Sequence, residues 1–434
     1  FYLLAGYRKP VRDVPPTDSR PAAGIERMLW YGCSTRVRYR NRVEQLHDGG
    51  EAFAALISAL QGARRYIHLS YYIFADDRIG HAIADILVRK ARAGVEVRLL
   101  YDAIGSWKLS ERFVRRLRGA GIEVRAYAPL RFPWFSPRAN RRNHSKIAVI
   151  DGRTGFVGGI NIAERYLDGD ALGRWRDEHL RIEGEAVDDL QRLFAADWAL
   201  EGGEPLSEGL YAAAPADDLP CSPLQIAWTR EDRSRTTLTD LFAQLIEEAR
   251  HTLRISSPYF LPPPALYEAL LRAVRRGCRV LVMLPARSDV WLARRATDAY
   301  LGELLGAGVE IFRFRGGFLH AKRLIADERV ASVGTADLHR FQNRKNYDER
   351  SDKRPLRLGR YGRTLRQVPR RRVGQTRRRR PDPVRVSGAR KRAGGTVLDH
   401  DSPQTRRIPQ GLPPFRSGAG GADDAGRGRP ADAI

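Results

Sequence analysis

The feature that most constrains this chain is that it repeats itself. "ARRYIHLSYYIF" at 63–74 returns as "ARHTLRISSPYF" at 249–260, "ARAGVEVRLLYDAIGS" at 91–106 as "VRRGCRVLVMLPARSD" at 274–289, and "GAGIEV" at 119–124 as "GAGVEI" at 306–311. Similarities kept in one order at offsets of 183 to 187 residues point to one architecture used twice. Within a copy, "YIHLSYYIF" (66–74) predicts a buried strand. "IGHAIADILVRKARAG" (79–94) then predicts an amphipathic helix stopped by Gly94, and "VEVRLLYD" (95–102) the next strand. Alternation of this kind from Ile25 to about Asn346 predicts an α/β protein of two repeated units. Ligands of such sheets bind at the carboxyl ends of the strands, so two facing copies place the site between them. The expected divisions are a lead-in at 1–24, a first unit at 25–205, a linker at 206–223, a second unit at 224–349 and a tail at 350–434.

With 434 residues, 42% of them hydrophobic, the chain can fill two sizeable cores. The net charge of +25 suggests an anionic partner, but it is unevenly placed. Residues 350–434 hold 23 basic and 7 acidic side chains, a net +16, which leaves +9 for everything before them. Cys33, Cys221 and Cys278 are distant and odd in number, which indicates neither a disulfide framework nor a thiolate metal site. There is no apolar run of membrane-spanning length. The opening "FYLLAG" followed by "YRK" reads either as the cytoplasmic end of a membrane helix or as an ordinary apolar terminus.

Each repeat carries one further element. In the first, "NHSKIAVIDGRTGFVGGIN" (143–161) sets His144, Lys146 and Asp151 at H-x-K-x(4)-D, followed by Gly158 and Asn161. In the second, "LHAKRLIADERVASVGTAD" (319–337) sets His320, Lys322 and Asp327 at the same spacing, followed by Gly334 and Asp337. His and Lys two apart on a strand share a face, so an imidazole and an ammonium converge. That pair suits a phosphate ester: the cation holds non-bridging oxygens while the imidazole attacks phosphorus or protonates the leaving oxygen. A single H-x-K on a strand is commonly a solvated face, whereas duplication at matched places of a repeat argues for two halves of one active site.

The doublet resembles the phospholipase D superfamily, and "GRWRDEHLRIEG" (173–184), "SSPYFLPPP" (256–264) and the apolar-then-basic opening resemble its bacterial cardiolipin synthase branch. The resemblance implies two α/β sandwich units of phospholipase D type with the active site between them. It makes His144 and His320 the catalytic pair, His144 by analogy the nucleophile and His320 the general acid and then base. Lys146, Lys322 and Asn161 would bind the phosphoryl oxygens. A carboxylate farther along each repeat would orient each His: Asp177 for His144, with Glu178 as its neighbour, and Asp348 for His320. Asp151 and Asp327 belong to the catalytic motif but would fix local structure, since ionised carboxylates repel a phosphodiester. No cofactor or metal is implied. The implied reaction condenses two phosphatidylglycerol molecules into cardiolipin and glycerol through a phosphohistidine. The implied partners are anionic phospholipid and the bacterial inner membrane, met from the cytoplasmic side; no nucleic acid is required, and the oligomeric state is open. A phosphodiesterase or nuclease using water on the same scaffold is the first alternative.

The second half departs from the pattern. Asp337 stands where the family has Asn, and after "FQNRKNYDE" (341–349) the apolar periodicity gives way to Arg, Pro and Gly with "RRRR" at 377–380. A reading-frame change near 340–352 accounts for this, leaving an aberrant carboxyl end. The rival is a genuine basic tail that binds nucleic acid or anionic lipid, carried by a degenerate enzyme. "PLRFPWFSPRANRRNH" (129–144) interleaves Pro133, Trp134 and Phe135 with Arg131, Arg138, Arg141 and Arg142. It reads equally as an interfacial loop at anionic headgroups or as a cover over the core.

Overall fold

The computed structural model describes residues 24–129, 142–206, 218–230 and 238–335, with the backbone of 5–6 and 338–339. The first half is an eight-stranded mixed sheet, and the second a five-stranded one. In the first, β1 (Arg38–Leu46), β2 (Tyr66–Tyr71), β3 (Glu96–Asp102), β4 (Glu123–Tyr127), β5 (Lys146–Ile150) and β6 (Thr154–Gly158) precede the short β7 (Trp175–Arg176), which lies outside the sheet. β8 (His179–Gly184) and β9 (Cys221–Leu224) complete it in the order β9-β1-β8-β6-β5-β2-β3-β4. The second sheet orders β12 (Glu310–Phe314), β11 (Arg279–Pro285), β10 (Thr252–Ser256), β14 (Arg323–Ala326) and β15 (Val330–Val333). The short β13 (Phe318–Leu319) stands apart from it.

The repeat is visible in the pairing. β2, β3 and β4 are parallel, as are β10, β11 and β12; β5 and β14 each run antiparallel to the first strand of their set and turn back into β6 and β15. Helices α1 (Ile25–Cys33), α2 (Gly49–Gly62), α3 (Arg78–Arg92), α4 (Glu111–Arg118) and α5 (Ala186–Leu200) belong to the first half. α6 (Leu238–Glu248), α7 (Pro264–Arg275) and α8 (Trp291–Gly306) belong to the second. Local sequence starts α2, α3 and α4: Asp48, Asp77 and Ser110 accept the backbone N–H three residues ahead, and Glu51 accepts the His47 N–H at 2.7 Å.

One core joins the halves. It packs Ile147, Val149 and Ile182 of the first sheet and Leu190 of α5 against Leu241 and Leu245 of α6 and Leu253 and Val282 of the second sheet. A second core on the other face of the first sheet packs Ile67, Leu69 and Leu99 against Phe53, Ile83 and Phe113. Covered on both faces, β2 reads as a continuous buried run. The linker expected at 206–223 ends inside the fold: β9 pairs with β1, and Ile226 and Ala227 are buried. No described helix is long and apolar enough to cross a membrane.

Candidate active site

The two His-Lys pairs come together. β5 begins at Lys146, opposite Tyr71 at the carboxyl end of β2, so His144 lies just beyond that end of the sheet. In the second half Arg323 opposes Ser256, which puts His320 and Lys322 at the matching end. The positive charges of Lys146, Lys322 and His320 all act on the His144 imidazole. Burial first, and then those three charges, push its pKa well below the ordinary imidazole value, while a hydrogen bond to the Thr335 backbone works the other way. His144 is therefore the neutral member of the cluster.

Lys146 donates to the His144 carbonyl at 2.8 Å and sits 5.2 Å from the Tyr72 ring centroid. Lys322 donates to the His320 carbonyl at 2.6 Å and lies 3.0 Å from the His320 ring nitrogens. Tyr72 packs on His144 with centroids 4.3 Å apart. Beneath His144, Asp102 accepts the Asn143 N–H at 3.0 Å, and the Asn143 amide donates to Asp197 at 3.1 Å. This buried network holds the turn that presents the histidine.

Asp177 does not serve His144, contrary to the sequence expectation. Its Oδ2 lies 2.6 Å from Nδ1 of His320. The cause is a strand pairing across the halves: β7 runs parallel to β13, Trp175 beside Phe318, and the His320 N–H donates to the Arg176 carbonyl at 2.8 Å. Burial alone would raise the Asp177 pKa, but the charges of His320 and Lys322 and hydrogen bonds from His320 and the Glu178 N–H hold it below the usual value. Gly159 makes room: a Cβ there would stand 2.0 Å from Asp177 Oδ1. Each histidine is thus anchored by the opposite half, His320 by Asp177 and His144 by Thr335. Glu178, the alternative to Asp177, accepts Arg323 of the second half at 2.7 Å and also binds Gln45.

Asp151 and Asp327, counted with the catalytic motif but expected to fix local structure, lie away from the histidines. Asp151 lies past the far end of β5, where its carboxylate accepts the N–H groups of Arg64, Arg65 and Tyr66 at 2.8–2.9 Å. Asp327 accepts those of Arg250, His251 and Thr252 at 2.7–2.8 Å. Both have positive φ, 53° and 52°, at the tip of their hairpins. A five-residue strand separates Asp151 from Lys146 by about 16 Å, so it clamps the hairpin to the start of β2 at the end of the strand away from His144. Asn161 is buried, with Oδ1 accepting the Ile73 N–H at 3.0 Å and its amide donating to Tyr166 Oη at 2.6 Å.

Sequence reasoning missed Tyr72, Thr335, Asp102 and the aromatic wall of His320, formed by Trp175 and Phe318 at centroid distances of 5.1 and 5.8 Å. His179 was missed too; burial pushes its pKa down to about 3, so it is a neutral imidazole beneath the site. Asp337, Asp348, residues 130–141 of the aromatic-basic loop and the tail at 350–434 lie outside the described residues. Among the described residues no cluster of His, Cys, Asp or Glu is arranged to hold a metal ion.

The family model described as "Cardiolipin synthase, PLD-like domain" matches residues 56–198 and 242–349. The "Probable cardiolipin synthase YwiE" of Bacillus subtilis (strain 168) is 39% identical over 70% of this chain and 62% of its own length. A "Cardiolipin synthase" of Halalkalibacterium halodurans is 40% identical over 70% of this chain and 60% of its own. Another, from Geobacillus thermodenitrificans (strain NG80-2), is 41% identical over 68% and 59% respectively. The chain therefore spans about three-fifths of the length of these curated relatives. Since the family model covers both repeats and more than half of the sequence, the chain belongs to the family of cardiolipin synthase, phospholipase D-like domains.

Proposed function

We propose that this protein is a membrane-associated phosphatidyltransferase that joins two phosphatidylglycerol molecules into cardiolipin and releases glycerol. One observation carries the reading: His144, neutral by burial and by neighbouring charge, shares a basic cluster with Lys146, Lys322 and a His320 held by the Asp177 carboxylate. A neutral imidazole is a nucleophile, and one paired with a carboxylate holds a proton well. In the first step a His144 ring nitrogen forms a bond to phosphorus, the bond from phosphorus to the glycerol oxygen breaks, and His320 gives that oxygen its proton. In the second, the terminal hydroxyl of another phosphatidylglycerol gives its proton to His320 and its oxygen displaces His144 from phosphorus. Lys146 and Lys322 neutralise the charge that builds on the non-bridging oxygens. Ping-pong kinetics follow.

The scheme requires a bell-shaped pH profile, because one imidazole starts neutral and the other protonated. His144 is depressed, so it stays neutral as pH falls through the ordinary imidazole value, and the acid limb should lie below about 6.5. A profile without two limbs would remove the two-histidine scheme. The direct test incubates the full chain with phosphatidylglycerol vesicles in a chelator and follows cardiolipin, phosphatidic acid and glycerol by mass spectrometry, with His144→Ala as control. Cardiolipin and glycerol that vanish in the control support the transferase; phosphatidic acid in their place moves the activity to hydrolysis.

A further inference from the structure

Of the exposed large apolar side chains among the described residues, five gather at matched places of the repeats, in the loop after β3 and where the loop after β11 enters α8. Ile104 and Trp107 follow β3; Val290, Trp291 and Leu292 follow β11. Trp107 is 74% exposed, Trp291 73% and Leu292 60%, while Trp175, Trp198 and Trp228 are buried. Both loops leave a parallel strand at its carboxyl end, the end at which His144 and His320 lie.

Both loops are tied down beside that end. Asp102 accepts the N–H groups of Ile104 and Gly105 at 2.9 Å, and Ser106 donates to the carbonyl of Tyr72, whose ring lies on His144. In the second half Tyr259, just past β10, donates its hydroxyl to Asp289 at 2.7 Å, two residues before Trp291. The Trp107 indole is therefore held out by a fixed loop, and the Trp291 indole by its place as the first residue of α8. Exposed cations flank them: Lys108, 5.3 Å from the Trp107 ring, and Arg112 on one side, Arg287, Arg294 and Arg295 on the other. Indole and leucine side chains bordered by cations match an anionic lipid surface, whose interfacial zone takes up aromatic rings while its phosphates meet the charges.

We propose that Trp107 and the Trp291–Leu292 pair seat the catalytic end of this protein on an anionic bilayer, each repeat supplying one contact, so that headgroup phosphodiesters meet His144 and His320. The inference rests on the lipid reading of the site. The test is flotation of the full chain with vesicles of phosphatidylglycerol and phosphatidylcholine at about 0.5 M salt, where screening removes most purely electrostatic attachment. The triple variant Trp107→Ser, Trp291→Ser, Leu292→Ser should partition onto vesicles roughly 30-fold less than the parent. Its thermal midpoint and its turnover of a short-chain monomeric phosphatidylglycerol should not change. Equal partition of variant and parent, or no flotation of the parent, overturns the docking face. So does a parent dimer that the substitutions dissociate without changing partition, since the patch then contacts a second copy. Weakened flotation alongside a parent that leaves the monomeric lipid unprocessed keeps the docking face and overturns the lipid chemistry.

Discussion

Leu100 and Met283 occupy matched positions of the two repeats, and their surroundings differ. Leu100 is fully buried against Tyr127 and the Phe194 and Trp198 side chains of α5. Met283 is 37% exposed. The contrast extends along the sheets: β2 and β5 are buried at every position, whereas β11 alternates, with Val280, Val282 and Leu284 inside and Arg279 and Met283 outside. In the first half β8 and α5 follow the motif and close that face; in the second, the residues at the corresponding distance beyond Asp327 lie outside those described. Among the described residues, the two His-Lys pairs are thus duplicated at matched ends of the sheets, while the burial of the matched strands differs. From the second half the described site draws the β10–β14 pairing, the β13 contact and the Thr335 backbone.

The largest expected effect tests whether the halves contribute different chemistry. His144→Ala should lower phosphatidyl transfer by roughly 10³–10⁴-fold, and His320→Ala by a similar factor. The nucleophile should be readable in a trapping experiment: with labelled phosphatidylglycerol, the parent chain quenched in alkaline denaturant, where a phosphohistidine persists, should retain covalent label and His144→Ala none. Label on His144→Ala would reverse the assignment of nucleophile.

The second prediction concerns the covering itself. Leu100→Ala should cost about 3 kcal/mol in urea unfolding, because it leaves a cavity beneath Phe194 and Trp198. Met283→Ala should stay within about 0.5 kcal/mol, as expected of an exposed position. Equal losses would show that the outer face of the second sheet is covered in solution, and the contrast between the halves would fall.

Next comes the bond that crosses between them. Asp177→Asn should lower turnover roughly 100-fold while leaving lipid binding intact, because the group lost orients a catalytic residue. Its effect on stability has a definite sign. Asp177 is depressed in the folded state, so its contribution is present above the ordinary carboxylate pKa and lost as pH falls through its lower folded value. Acid titration of stability should therefore be steeper in the parent than in Asp177→Asn; equal slopes would mean that the carboxylate is not held as its 2.6 Å contact with His320 implies.

What was legible in the sequence follows from range. The strands at 66–71 and 96–102 and the helix between them could be read because their patterns are local, and the two motifs because duplication makes a weak signal specific. The partner of Asp177 could not be read. It depends on β7 meeting β13, segments some 143 residues apart whose pairing has no local signature. Tyr72 was hidden for a different reason: an aromatic residue at the end of an apolar strand looks like core, and only the fold shows its ring against His144 and Lys146. Charge already set Asp151 apart from the chemistry, but constant spacing could not reveal that a strand carries it to the other end of the sheet.

The smallest effect is also where the two halves should agree. Asp151 and Asp327 each accept three backbone N–H groups that open the first strand of their repeat, at distances equal within 0.2 Å. Both are partly exposed, so water replaces some of what is lost, and each substitution to Ala should cost about 1–2 kcal/mol. The loss acts on backbone order, so hydrogen exchange should accelerate at 64–66 in Asp151→Ala and at 250–252 in Asp327→Ala, with the other copy protected as before. Turnover of monomeric substrate should change little in either variant at a temperature well below unfolding. If Asp327→Ala instead abolishes turnover while the second sheet keeps its exchange protection, the clamp assignment fails for that half, and the motif's third residue returns to the chemistry from which its position at the hairpin tip removes it.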